Sequence, residues 1–287
     1  MLQYADLIKL RVPFVPATGA ADLTGAVSAI KADPASREFC SRHHVPYSPA
    51  DQRRWVQAAL TMRATGALSD ELTNSVDRLL QSELAQKNIV DAASLPRAAG
   101  PHSFGEMISI WDGDITTLKI DAITNAANAQ MLGCFQPFHA CIDNAIQCAA
   151  GPQLREDCAM IMSQQGRDER TSEAKITRGY NLPSKFVLHT VGPIVPIHRP
   201  TAEQAQQLAS CYTSCLSLAA RAGVKSLAFC AISTGVFGYP PEEAADVALR
   251  TVSDWLQAHQ GHFEHVVFNT FGDAATEIYE RKFASWM

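Results

Sequence analysis

No apolar run in this 287-residue chain approaches the roughly 18 residues that a membrane-spanning helix requires. The N-terminus, Met1-Leu-Gln-Tyr-Ala-Asp6, lacks the basic-then-apolar pattern of a secretory leader. These two absences predict a cytoplasmic protein without a membrane partner. Basic residues are not in excess either: 24 Lys and Arg face 29 Asp and Glu, a formal net charge of −5. Sequence-independent binding to nucleic acid needs a basic face, so nucleic acid is excluded as a partner. A small anionic ligand stays open, because backbone N–H groups at a helix N-terminus hold a phosphate without Lys or Arg. No internal repeat and no low-complexity tract interrupts the chain.

What is present is ordinary for a globular protein, with 47% hydrophobic and 18% charged residues. The length suits one large or two modest domains. Eight cysteines are spread unevenly: Cys40 stands alone, Cys134, Cys141, Cys148 and Cys158 cluster, and Cys211, Cys215 and Cys230 follow. Nothing marks the chain as small, secreted or stapled. In a reducing compartment, a local cysteine cluster beside a histidine points to metal binding or catalysis.

Residues 1–95 read as a helical N-terminal segment. Ala20–Ala32 carries Leu23, Val27 and Ile30 at helical spacing. Ser48-Pro49-Ala50-Asp51 reads as an N-cap, a proline at the first helical position and an acidic first turn, opening a helix with Trp55, Ala58, Ala59 and Met62 on one face. A third helix starts at Ser69 and places Leu72, Val76, Leu79 and Leu80 on one stripe. Such stripes need a surface to bury, which predicts packing against the remainder of the chain. Leu95-Pro-Arg-Ala-Ala-Gly-Pro101 has linker composition.

Residues 96–287 change rhythm and form the second domain. Short apolar runs at Met107–Trp111, Ala122–Thr124, Phe186–Val191, Leu227–Ile232 and Val266–Phe268 alternate with helical patterns. One helix, Asp143–Ala150, ends at Gly151; Thr201 with Gln204 forms a capping box before a helix running to Gly223; Pro241 opens another. The alternation predicts an α/β domain with a largely parallel or mixed sheet.

Several loops carry chemistry. Ser233-Thr234-Gly235-Val236-Phe237-Gly238 follows a strand and precedes a helix, so its N–H groups can converge on an oxyanion, although a plain βα loop has the same form. Gly113-Asp114-Ile115-Thr116 offers an aspartate to an amino-bearing ring, or a turn residue bonding its own backbone. Asn125-Ala-Ala-Asn128 lets two amides close around a polyhydroxylated ligand, although asparagine is equally common in plain turns. Cys134-x4-His139-x-Cys141 supplies preferred zinc ligands; three local donors fit a catalytic ion with an open position better than a structural one, against two buried thiols and a surface histidine. Cys148 and Cys158 read as core. Asp143 is a favoured helix N-cap residue, and a cap there also aims a carboxylate at the strand ends.

In sequence order, Gly-Asp-Ile-Thr at 113–116, Asn-Ala-Ala-Asn at 125–128, Ala-Ala-Gly at 149–151, His-Thr-Val-Gly-Pro at 189–193 and Ser-Thr-Gly-Val-Phe-Gly-Tyr-Pro at 233–240 resemble the macrodomain family over about residues 105–285. The resemblance implies a three-layer α/β/α macrodomain with a mixed central sheet that binds ADP-ribose. Hydrolytic members most often carry a glycine run before the catalytic aspartate. Here the segment is longer and holds Cys134, His139 and Cys141, which is similar to the zinc-containing subclass with its extra N-terminal helices.

That resemblance implies a zinc-dependent hydrolase that removes mono-ADP-ribose from modified proteins, with Asp or Glu ester linkages favoured by analogy and one Zn²⁺ per chain. Asp114 and Ile115 would meet the adenine, Phe271 would stack on it, and Ser233 to Gly238 would wrap the diphosphate. Asn125 would contribute to the binding surface, Asn128 would hold the distal ribose, and Asn128 with Asp143 would carry catalysis. Cys134, His139 and Cys141 would hold zinc. The implied partners are a mono-ADP-ribosylated protein and ADP-ribose, with the chain a monomer. A non-catalytic ADP-ribose reader and a hydrolase of small O-acyl-ADP-ribose esters use the same residues and stand as alternatives.

Overall fold

A computed structural model describes residues 3–98 and 105–285 of the chain. Gly100 and Pro101, the breakers that end the expected linker, lie outside the described residues. No described helix is long and apolar enough to cross a membrane. The described residues form two compact units, each drawn from separated stretches: one takes the chain up to Asn88 with Gln130–Asp168 and Thr177–Leu182, the other Ile89–Ala129, Glu169–Ile176 and the chain from Pro183 onward.

The first unit begins with four helices, and their starts follow from local chemistry. Asp22 caps α1 (Leu23–Ala32), its carboxylate accepting from Gly25 N at 2.7 Å. A short turn leads into α2 (Arg37–Arg42), which the sequence pattern does not announce. Ser48 Oγ accepts from Asp51 N at 3.1 Å to open α3 (Pro49–Met62), and Ser69 Oγ accepts from Leu72 N at 3.1 Å to open α4 (Asp70–Leu84).

The apolar stripes of these helices meet one another first. Val27, Ile30, Trp55, Val56, Ala59, Leu72, Val76, Leu79 and Leu80 share one core, to which Phe39 of α2 adds a ring. Met62, the last residue of α3, falls outside that stripe at 41% exposed. Two further helices belong to this unit, α5 (Ile142–Ala150) and α6 (Pro152–Gln165), and α3 packs on α5. Gly151, at φ +95°, ends one and starts the other, as its glycine and the following proline suggest.

A buried cation ties the helices together. Arg63 is 1% exposed; its Nε and Nη2 donate to Asp33 at 2.9 and 3.3 Å, its Nη1 to Glu156 of α6 at 2.5 Å, and its remaining bonds go to the carbonyls of Ala64, Gly66 and Ala67. A buried guanidinium is tolerated only when paired and fully hydrogen-bonded, which is the case here.

In the second unit β1 (Val90–Asp91) pairs with β3 (Leu118–Lys119). Among the described residues the main sheet has six strands: β2 (Ile108–Asp112), β4 (Ala122–Ala126), β5 (Ala174–Arg178), β6 (Phe186–Thr190), β7 (Ser226–Phe229) and β8 (His265–Thr270), in the order β2-β8-β7-β4-β6-β5. The pairings of β2 with β8, β8 with β7, β7 with β4 and β4 with β6 are all parallel. β8 is buried along its whole length, as a central parallel strand should be.

Within this unit α7 (Ala202–Arg221) packs on β6 and on α8 (Pro241–Ala258), while α9 (Asp273–Ser285) covers β2 and β8. The capping box of Thr201 and Gln204 opens α7 as expected, the two residues exchanging bonds of 3.1 and 2.8 Å. This is the α/β architecture that the strand-helix alternation predicts.

Candidate active site

Parallel strands send their following loops out of the same edge of a sheet, and ligands of open α/β folds sit outside that carboxyl edge. In the second unit that edge carries Gly113–Thr116 after β2, Asn128 after β4, Val191–Pro193 after β6, Ser233–Gly238 after β7 and Phe271 after β8. The sheet therefore gathers Asp114, Ile115, Asn128, Ser233, Thr234, Gly235, Val236, Phe237, Gly238 and Phe271 along one edge.

The Ser233–Gly238 loop is folded tightly on itself. Gly238 N donates to Gly235 O at 2.9 Å and Tyr239 N to Ser233 O at 2.9 Å. Among the described residues the amides of Thr234, Gly235, Val236 and Phe237 donate to no protein acceptor, which is the arrangement an anion site requires. Ser233 sits at φ +66°, a conformation that costs a residue with a Cβ about 1–2 kcal/mol, and its Oγ is buried without a hydrogen-bond partner. The neighbouring segment fits only around glycine. A Cβ on Gly192 would lie 2.0 Å from Ser233 Oγ, and one on Gly238 (φ +71°) would lie 2.8 Å from Val195 O.

At the outer strands, Asp114 is exposed and its Oδ1 accepts from Thr116 N at 3.0 Å and Thr116 Oγ1 at 2.7 Å. The turn role and an outward-facing carboxylate thus coexist. Ile115 is 2% exposed, so it offers backbone rather than side chain. Phe271 stands 84% exposed just beyond β8.

The two asparagines differ. Asn125, on β4 opposite His189 of β6, is fully buried, with Nδ2 3.1 Å from His189 Nδ1. Burial holds that histidine near pKa 3, so the neutral ring accepts. Asn128 lies past the strand end and is half-buried.

Beyond Gln130 the chain enters the first unit, where Cys134, His139, Cys141 and Asp143 come together. The cysteine sulfurs and a ring nitrogen of His139 lie within 4.8 Å of one another. His139 Nδ1 is buried with no hydrogen-bond partner, and two thiols plus an imidazole are zinc's preferred donors, so the residues fit such an ion. The segment stores backbone strain: Met131, Phe135 and Phe138 have φ of +64°, +52° and +63°. Strain of this kind concentrates at functional sites.

Cys141 has a second role. The helix starts at Ile142, one residue before the expected position, and its N-cap is Cys141, not Asp143: Cys141 Sγ accepts from Asn144 N at 3.4 Å. Cysteine seldom caps helices, which is why Asp143 looked the better cap in sequence. Asp143 instead lies in the first turn, 5% exposed. Burial pushes the Cys141 thiol up to about 11, with Cys134 and Asp143 adding to the rise. A divalent cation among these groups would reverse that preference.

Cys158 is buried as expected, while Cys148 is only half-buried and meets Thr61 Oγ1 at 3.6 Å.

Residues 124–248 match the family model described as Macro domain. A protein-ADP-ribose hydrolase of Treponema medium is 46% identical over 237 residues, spanning 83% of this chain and 89% of that protein. One of Staphylococcus aureus (strain MRSA252) is 45% identical over 241 residues, spanning 83% and 87%. The chain belongs to the macrodomain family. Among solved structures, the Trypanosoma brucei macrodomain in complex with ADP-ribose superimposes with a TM-score of 0.60 at 30% identity, covering 78% of this chain and 94% of that one.

Two supports of the macrodomain's donor loop escape sequence reading. Asn144, 5% exposed, reaches back to donate from Nδ2 to His139 O at 3.0 Å, so it ties His139 and Cys141 together. Phe135 and Phe138, next to the donors, lie under the guanidinium groups of Arg155 and Arg54 at 4.6 and 4.5 Å. The only signal in sequence is an aromatic beside each of two donors.

Proposed function

We propose that this macrodomain is a zinc-dependent hydrolase that removes mono-ADP-ribose from proteins modified through Asp or Glu esters. The observation that carries the reading is the convergence of Cys134, His139 and Cys141 within 4.8 Å, two residues from the buried Asp143. The relatives named as protein-ADP-ribose hydrolases support the activity. In this reading residues 96–287 are the catalytic macrodomain and residues 1–95 its helical N-terminal segment, and the protein acts in the cytoplasm as a monomer.

Each residue has a task. The amides of Thr234 to Phe237 and the Ser233 hydroxyl take the diphosphate, with Gly238 permitting the loop's close approach. Asp114 and the Ile115 amide select the adenine, and Phe271 stacks on it. Asn128 holds the distal ribose, while Asn125, locked to His189, fixes the strand end from which Asn128 projects. Binding energy from these remote contacts positions the reacting carbon. Cys134, His139 and Cys141 would hold one Zn²⁺, which would supply Lewis acidity toward a substrate oxygen or water. Asp143 orients or deprotonates the attacking water, a contribution on the order of 10²–10⁴ in rate.

Asp143→Ala tests this assignment. We expect ADP-ribose affinity to persist while release of ADP-ribose from an ester-modified protein falls at least a hundredfold. Unchanged turnover would remove Asp143 from the chemistry. Tight binding without turnover by the wild type would make the protein a reader, and turnover of O-acyl-ADP-ribose alone would move the substrate to small esters.

A further inference from the structure

We propose that Arg155 is a positioning residue for the Cys134–His139–Cys141 donor set, acting through the face of Phe135. The inference rests on the zinc reading above for its consequence, but not for its geometry. Arg155, on α6, is 6% exposed. Its Nη1 donates to Leu60 O at 2.8 Å and Arg63 O at 2.9 Å, two carbonyls at the C-terminal end of α3. A helix C-terminus leaves such carbonyls without intrahelical partners and favours a cation beside them. The guanidinium is thus anchored by the N-terminal helices.

Its other side is turned to the donor loop. The guanidinium carbon lies 4.6 Å from the centre of the Phe135 ring, and a Cβ on Gly133 would stand 3.3 Å from Nη2. Arg155 therefore grips the residues on both sides of Cys134. Arg54 repeats the contact on a smaller scale, 4.5 Å from the ring of Phe138, which precedes His139. Burial separates the two. Phe138 is 45% exposed and Arg54 is exposed, so water screens their contact, whereas the guanidinium of Arg155 is buried and its contact is screened far less.

The two carbonyl bonds leave part of the group unused: Arg155 Nε is buried with no hydrogen-bond partner. The loop, by contrast, needs holding. It has no helix or strand of its own between Gln130 and Cys141, and it keeps Phe135 and Phe138 at positive φ. An unheld loop would have to be ordered by the metal itself, which weakens binding. The chain of support runs from the carbonyls of α3 through Arg155 and Phe135 to Cys134. The N-terminal segment is thereby part of the donor set's scaffold.

The test uses the full chain and Phe135→Leu, which keeps apolar bulk but loses the ring, with Phe135→Tyr as the conservative control and Arg155→Lys as the partner variant. In chelator-stripped protein, amide exchange is read at His139 and Cys141, which donate to Gln136 O and His139 O. We expect about tenfold faster exchange in Phe135→Leu and wild-type exchange in Phe135→Tyr. Zinc affinity, read by competition with a chromophoric chelator, should weaken about tenfold or more in Phe135→Leu and Arg155→Lys and return in Phe135→Tyr, with ADP-ribose affinity unchanged. Unaltered exchange in Phe135→Leu would overturn the clamp. Faster exchange with unaltered zinc affinity would overturn its link to the donors. A wild type that binds no zinc would remove the zinc reading alone, and the exchange result would still decide the clamp.

Discussion

Gly192 and Ser233 are interlocked: a Cβ on the glycine would stand 2.0 Å from the serine hydroxyl. The added atom would also stand 2.9 Å from Ile232 Cγ2 and 3.3 Å from Ser233 Cβ, so turning the hydroxyl aside would not clear it. Gly192→Ala is therefore expected to push the Ser233–Gly238 loop out of place and weaken ADP-ribose binding at least tenfold, with the sheet intact. Calorimetric titration with ADP-ribose measures this; wild-type affinity would show that the loop does not hold the diphosphate.

Phe271 offers the opposite case. At 84% exposed it contributes little to the fold, so Phe271→Ala should leave the unfolding midpoint within about 0.5 kcal/mol of wild type. Loss of a stacked base face is worth about 1–3 kcal/mol, so ADP-ribose affinity should fall between about 5-fold and 150-fold. Equal binding by the variant would take the stacking role from Phe271.

Cys141 combines capping and ligation, and two substitutions separate them. Serine preserves the acceptor for Asn144 N, so Cys141→Ser should lose zinc yet unfold at the midpoint of the chelator-stripped wild type. Cys141→Ala should lose zinc and also about 1 kcal/mol of stability. Metal analysis with denaturant titration distinguishes them, and zinc retained by Cys141→Ser would exclude Cys141 from the donor set.

Acid should loosen the fold. Burial holds His189 at about 3, and burial with Arg97 beside it holds His265 at about 4, both below the 6.5 of an unfolded histidine. Each stabilises the fold above pH 6.5 and loses that contribution as pH falls through its folded value. Asp157 acts in the reverse sense. Burial raises it to about 6, so its contribution is present below 3.8 and lost as pH rises through 6, a partial offset. Two histidines outweigh one carboxyl. The urea midpoint should drop between pH 7 and pH 4.5, and drop less in His265→Gln. A midpoint that holds or rises on acidification would refute this balance.

Much of the fold is legible because its signals are local. Ser48, Ser69 and Thr201 cap helices where hydroxyls precede apolar periodicity, and short apolar runs become β2, β4, β6, β7 and β8. The loops after those strands are legible too, since strand, glycine and helix follow within a few residues. Other features depend on partners far along the chain. α6 hides its pattern by burying Arg155 and Asp157 beside Leu154 and Ile161. The Asn motif does not reveal that Asn125 turns to His189, a fact set by strand register. Phe135 and Arg155 are twenty positions apart, and only the tertiary fold brings them face to face.

If Cys134, His139 and Cys141 hold a zinc ion on which hydrolysis depends, removing that ion abolishes turnover. The most direct measurement is zinc content of the purified protein together with release of ADP-ribose from a mono-ADP-ribosylated protein, before and after a strong chelator. One zinc per chain, with release abolished by the chelator and restored by added zinc, is the predicted result. Full release from a zinc-free protein would contradict it.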